Sequence, residues 1–184
     1  LKLAYEIAKK KYIKIKQMIE VIEDDRWVRL NPYDGYKVKL SIRYDHPLFD
    51  KENNELEVDF AKQSYISEIS RARTFAFMYE IENIRKNGLG KGGNLNNAVV
   101  IDDDTVLNQG GLRFRNEFVR HKILDAIGDL YISGYQIIGA FEGFKSGHAI
   151  NNMLLRKLFN TPDAWEFVEF DNEESVPHSF HYVA

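Results

Sequence analysis

FRNEFVRHKILDAIGDLYIS, residues 114–133, decides how the rest of the chain is read. Phe114, Phe118, Ile123, Ile127 and Leu130 recur through it at helical spacing and gather on one broad face. Gly134 follows directly and predicts the stop. Beyond it, 136–141 reads as an apolar strand, 147–159 as a second helix ending near Asn160-Thr161-Pro162, and 165–170 as an alternating edge strand. Ahead of the long helix, strand signals fall at 12–16, 27–30, 36–44 and 56–60. Pro32, Asp34 and Gly35 supply turn chemistry between them, which predicts an antiparallel meander. A short helix is expected at 64–71, an apolar aromatic run at 74–78, a helix at 79–86 stopped by Asn87-Gly88, and a buried strand at 98–101. Strands early and two long helices late make the fold class α+β, a mainly antiparallel sheet covered on one face by the helices.

Composition narrows the function classes. The chain has 184 residues, 25 Lys plus Arg against 28 Asp plus Glu, and no cysteine. That length suits one large domain or two small ones, and 44% hydrophobic residues with 13% aromatic are ample for a packed core. A net charge of −3 removes the electrostatic case for nonspecific nucleic-acid binding. No apolar run is long enough for a membrane span. Without cysteine there is no disulfide framework, thiolate nucleophile or cysteine zinc site. Leu1 stands where a Met would begin a complete protein, and residues 1–11 read as the end of an element that starts upstream.

Within the long helix His121 and Asp125 are one turn apart, so they project from one face, and Asp129 follows a further turn along the same row. An imidazole and a carboxylate so placed suit one shared metal ion. The same spacing equally describes a surface ion pair, and two ligands fall short of the three that a catalytic zinc usually takes from protein. His148 falls at a strand-to-helix junction beside Lys145, where it suits binding an anion or donating a proton, or serves as a capping or packing side chain. Gly88, Gly90, Gly92 and Gly93 around Lys91 lack the spacing of a phosphate loop and read as a turn. Asp102, Asp103 and Asp104 read as solvated loop acids. His46, His178 and His181 fall in turns or the tail and are expected to be structural or solvent-facing.

SRARTFAFMYEIE at 70–82, GLRFRNEFVRHKILDAIGDL at 111–130 and GFKSGHAINN at 143–152 together resemble the zinc-dependent UDP-3-O-acyl-N-acetylglucosamine deacetylases of Gram-negative lipid A synthesis. DHP at 45–47, GKGGNLNNAVVIDDD at 90–104 and the AWEFVEF tail fit the same family. The resemblance implies two similar α+β halves with the active site between them, this chain being the C-terminal half. Residues 12–184 would be that domain, with a strand-helix-strand insert at about 74–101, and 1–11 a remnant of the first half or the linker. It implies His121 and Asp125 as zinc ligands, with Zn2+ completed by a histidine of the other half, whose Glu-His pair (the Glu being the catalytic base) is absent here. It implies His148 as general acid or electrostatic partner, Asp129 as the carboxylate orienting it, and Thr74 as a hydroxyl at the oxyanion. Lys122 and Lys145 would contact substrate, Tyr44 would be an aromatic platform near the uridine, and Phe75, Phe77, Ile81, Leu95, Ala98 and Val100 would line an acyl-chain passage. Ala76 stands where the family commonly has Gly. The implied reaction is hydrolysis of the N-acetyl amide of a UDP-linked acylated glucosamine, in the cytoplasm, with the other half as partner in cis and the chain alone inactive. The alternative is a non-catalytic domain of the same fold that binds a nucleotide-sugar or a partner.

Overall fold

The computed structural model describes residues 10–50 and 54–181. The segment expected to be a remnant of a preceding half, residues 1–11, therefore lies almost wholly outside the described residues. The architecture is α+β. Strands β1 (Lys11–Ile15), β2 (Ile19–Glu23), β3 (Arg26–Asn31), β4 (Tyr36–Ser41), β5 (Glu55–Asp59), β9 (Gln136–Phe144) and β10 (Trp165–Glu169) form a seven-stranded sheet. Helices α4 (Glu117–Tyr131) and α5 (His148–Phe159) pack on it, α4 over β4 and β5 and α5 over β2 and β3. The short helices α1 (Pro47–Asp50) and α2 (Tyr65–Glu68) lie in the connections on either side of β5.

The expected meander is only partly right. β2–β3 and β4–β5 are antiparallel hairpins, but β3 and β4 each pair with β9. β9 runs antiparallel to β3 and parallel to both β1 and β4, so the sheet is mixed. The reason lies in the strand compositions. Residues 137–141 of β9 are buried without interruption, which demands a central place, whereas β3 and β4 alternate and tolerate one open face. Gly139 permits the close approach: a Cβ there would meet Ile15 at 2.7 Å and the Asn31 carbonyl oxygen at 3.1 Å. β9 also runs to Phe144, beyond the expected end at 141.

Alternation sorts the two faces. Val28, Leu30, Val38, Leu40 and Val58 are fully buried on the helix side, against Phe118, Ile123, Leu154 and Leu158. The opposite face carries ion pairs, Arg29 with Glu142 at 2.6 Å and Lys39 with Glu55 at 3.1 Å. α4 begins at Glu117, three residues after the expected start, so Phe114 precedes the helix and lies under the Arg120 guanidinium, 4.5 Å from its ring centroid. Ile127, expected on the apolar face, is half-buried.

Residues 74–106 build a separate small sheet from β6 (Thr74–Phe77), β7 (Ala98–Asp102) and β8 (Thr105–Val106). Helix α3 (Met78–Lys86) joins β6 to β7, which run parallel, as a helical crossover requires. The glycine-rich stretch 88–93 is an exposed connection. Asp103, in the turn between β7 and β8, adopts φ +46°.

Candidate active site

α4 carries a row of polar side chains at every fourth position, Glu117, His121, Asp125 and Asp129. Its first member is closed off. Glu117 is 0% exposed and accepts from the Arg73 backbone N–H at 3.0 Å, Arg73 Nε at 2.8 Å, Arg73 Nη2 at 3.0 Å and the Arg113 N–H at 2.6 Å. Burial pushes its carboxyl up, but the Arg73 and Arg113 donors outweigh this and hold it below the ordinary glutamate value. This clamp ties the start of β6, and with it Thr74, to the first turn of α4.

The next two members, His121 and Asp125, face a cleft of about 320 Å³ lined also by Tyr44, Thr74, Phe75, Phe77, Glu80, Lys122 and His148. His121 Nε2 lies 3.3 Å from Asp125 Oδ1. Burial pushes the His121 imidazole below the ordinary histidine value, against the pull of Asp125, and so favours a neutral ring with a free lone pair. Its Nδ1 is buried without a well-formed hydrogen bond, although the Ala72 carbonyl faces it. A proton on Nδ1 leaves Nε2 as donor atom beside Asp125, the arrangement a metal-binding histidine needs. His121 and Asp125 thus fit two positions of a zinc shell. Among the described residues no group of three or more His, Asp or Glu converges. Lys122 Nζ donates to the other Asp125 oxygen at 2.9 Å, so Lys122 is engaged on its own helix.

One turn further, Asp129 meets the exposed His148 across the α4–α5 interface, with Nδ1 at 2.9 and 3.0 Å from its two oxygens. Thr74 is exposed at the cleft. Tyr44 packs edge-on against Phe75 at 5.5 Å and, tilted, against Phe49 at 4.5 Å. Burial first, then Asp125 and Glu80, push its phenol up, so it stays un-ionised. Lys145 lies apart, in an adjoining hollow of about 390 Å³ with Arg26, Arg43 and Ser146, and shares Tyr44 as a common wall. It adopts φ +52° in the turn that swings the chain from β9 into α5, and its ammonium pairs with Asp25.

The expected acyl-passage residues do not form one surface. Register and alternation place Phe75 and Phe77 on one face of the small sheet, towards Phe49 and Phe118, and Ala98 and Val100 on the other. Leu95 is exposed in the loop before β7. Glu80, Arg26, Arg43 and Asn151 belong to the surroundings of the site and were not singled out from sequence. His46, by contrast, accepts the Leu48 N–H through Nδ1, as a turn residue does.

A family model described as UDP-3-O-acyl N-acetylglycosamine deacetylase matches residues 2–160. A UDP-3-O-acyl-N-acetylglucosamine deacetylase of Chromobacterium violaceum is 60% identical over 175 residues, covering 95% of this chain and 58% of the relative. The proteins of that description from Neisseria meningitidis serogroup A and Pasteurella multocida are 58% and 49% identical, over 95% and 94% of this chain and 57% of each relative. The chain therefore spans somewhat more than half the length of the curated relatives it matches.

Proposed function

The chain belongs to the UDP-3-O-acyl N-acetylglycosamine deacetylase family, and from that membership we propose that it forms the C-terminal wall of a zinc-dependent deacetylase site. The substrate is UDP-3-O-acyl-N-acetylglucosamine and the products are acetate and the free amine, a step of lipid A synthesis in the cytoplasm. The observation that carries this reading is the convergence, in one cleft, of the His121–Asp125 pair at 3.3 Å with His148, whose Nδ1 is held by Asp129 at 2.9 Å.

His121 and Asp125 would hold the zinc, with a third ligand from outside this chain. Zinc bound there supplies Lewis acidity toward water and the amide carbonyl. The exposed Thr74 hydroxyl donates to the carbonyl oxygen as negative charge develops on it. His148, as an imidazolium turned by Asp129 so that its Nε2–H faces outward, would deliver that proton to the departing nitrogen and be left neutral. Lys145, in the hollow behind Tyr44, is placed to meet the anionic diphosphate, with Tyr44 as the wall against which the uridine rests. Lys122 has the same role once it leaves Asp125. Phe75 and Phe77, among the residues lining the cleft, would give the acyl chain apolar contact.

Acetate release from this substrate by the full-length protein, measured beside zinc content, tests the reading. Stoichiometric zinc and turnover are expected in the full-length protein and neither in residues 1–184 alone. Full turnover by the 184-residue piece would overturn the claim that the other half supplies the base and a ligand.

A further inference from the structure

Asn151 does something on α5 that neither the proposed reaction nor helix formation asks of it. It is 0% exposed, the kind of place in which an amide is costly unless every polar atom is paired. Its Nδ2 donates to Asp129 Oδ2 at 2.8 Å, and its Oδ1 accepts from the Ser146 hydroxyl at 2.9 Å. Ser146 is itself buried, 8% exposed, and sits on the strand-to-helix turn just before His148. Asp129 is thus gripped from the interior by Asn151 and faces His148 Nδ1 on its outer side.

The polarity of this chain is dictated by chemistry. An ionised carboxylate only accepts, so the amide must present its NH₂ to Asp129 and its oxygen to Ser146. The Ser146 hydroxyl must then donate inward. With the carboxylate fixed, the His148 nitrogen facing it carries a proton, and Nε2 is left toward the cleft. Asp129 alone would have freedom to rotate about its side chain. Asn151 removes that freedom by holding Oδ2 while both oxygens stay within 3.0 Å of the ring nitrogen.

We propose that Asn151, supported by Ser146, is a positioning residue that fixes Asp129 and through it the orientation of His148, with Nδ1 on the carboxylate and Nε2 toward the cleft. The proposal rests on the reading of His148 as the proton donor, and the experiment separates the two. In the full-length protein, Asn151→Ala is expected to lower kcat by about 10- to 100-fold, the scale of loss when a group orienting a metal-bound histidine is removed, with KM for the UDP-sugar little changed. His148→Ala is expected to cost about 10²- to 10⁴-fold. Adding Asn151→Ala to His148→Ala should then cost nothing more, since the residue to be positioned is gone. Should Asn151→Ala not fold, Ser146→Ala replaces it in the same cycle, with a smaller loss that also vanishes in the His148→Ala background. An Asn151 or Ser146 loss that multiplies unchanged in that background, or one borne by KM, marks a merely structural role and overturns the proposal. Wild-type kcat for these variants beside a crippled His148→Ala also overturns it while leaving the proposed function standing. A His148→Ala enzyme of full activity overturns the proton-donor reading and the inference with it.

Discussion

Two parts of one helix face make opposite use of the same kind of residue. Glu117 and His121 stand one turn apart on α4. Glu117 is enclosed, receives donors at 2.6–3.0 Å and has no valency left for a ligand. His121 lies 3.3 Å from Asp125 and opens on a cleft. The first arrangement fastens the small sheet to α4, and the second leaves donor atoms incompletely used. A buried ion pair that is fully hydrogen-bonded is a fixture, whereas a half-buried polar pair with unspent lone pairs is a candidate for chemistry.

The comparison can be broken most decisively at His121. His121→Ala in the full-length protein is expected to abolish zinc binding and turnover while the melting temperature of the metal-free protein stays near wild type. Metal analysis, acetate release and thermal melts read this out, and retained turnover would remove the distinction. Glu117→Ala is expected to do the reverse. It leaves the Arg73 guanidinium buried without its partner, at a cost of about 3–5 kcal/mol. At roughly 2–4 °C per kcal/mol for a domain of this size, a melting experiment resolves it easily.

A smaller effect sharpens the same contrast through pH. The Glu117 carboxyl is held below its ordinary value in the folded state, so its contribution is complete above the unfolded value, about 4.3. That contribution is lost as pH falls through the folded value. Wild-type melting temperature should therefore drop on acidification below about pH 4, and Glu117→Gln should flatten that part of the profile. An unchanged acid limb in Glu117→Gln would show that other carboxylates govern it. The smallest effect belongs to Asp25, an exposed partner of Lys145. Asp25→Ala should leave the melting temperature unchanged and lower the KM for the UDP-sugar, because the ammonium no longer has a competing anion.

How much of this was legible in the residues varied with the range of the forces involved. The cores of α4 and α5 were readable, because helical periodicity is a local property. β2 was missed because Ile19–Glu23 is short and runs within two residues into its hairpin partner, and β8 because two residues carry no period. The meander failed because β3 and β4 are separated by a strand more than a hundred residues later, and nothing in residues 1–60 announces it. In the site, the His121–Asp125–Asp129 spacing and the position of His148 at a strand-to-helix junction were visible directly, and family resemblance gave each its role. Asn151 was not visible, since an asparagine inside a helix has no pattern until the carboxylate across the interface is in place.

The sequence by itself determined that Glu117, His121, Asp125 and Asp129 share one face of one helix, because four residues make close to one helical turn. It also determined the α+β class and the apolar face on which that helix rests. Only the tertiary structure decided that the row has two fates. Arg73, brought in from the start of the small sheet, joins the nearby Arg113 backbone N–H in exhausting Glu117, while α5 delivers His148 and Asn151 to Asp129. The physical reason is that a carboxylate's role depends on which donors reach it and on how much water remains around it. Both are settled chiefly by residues outside the helix itself, from Arg73, 44 positions before Glu117, to Asn151, 22 positions after Asp129.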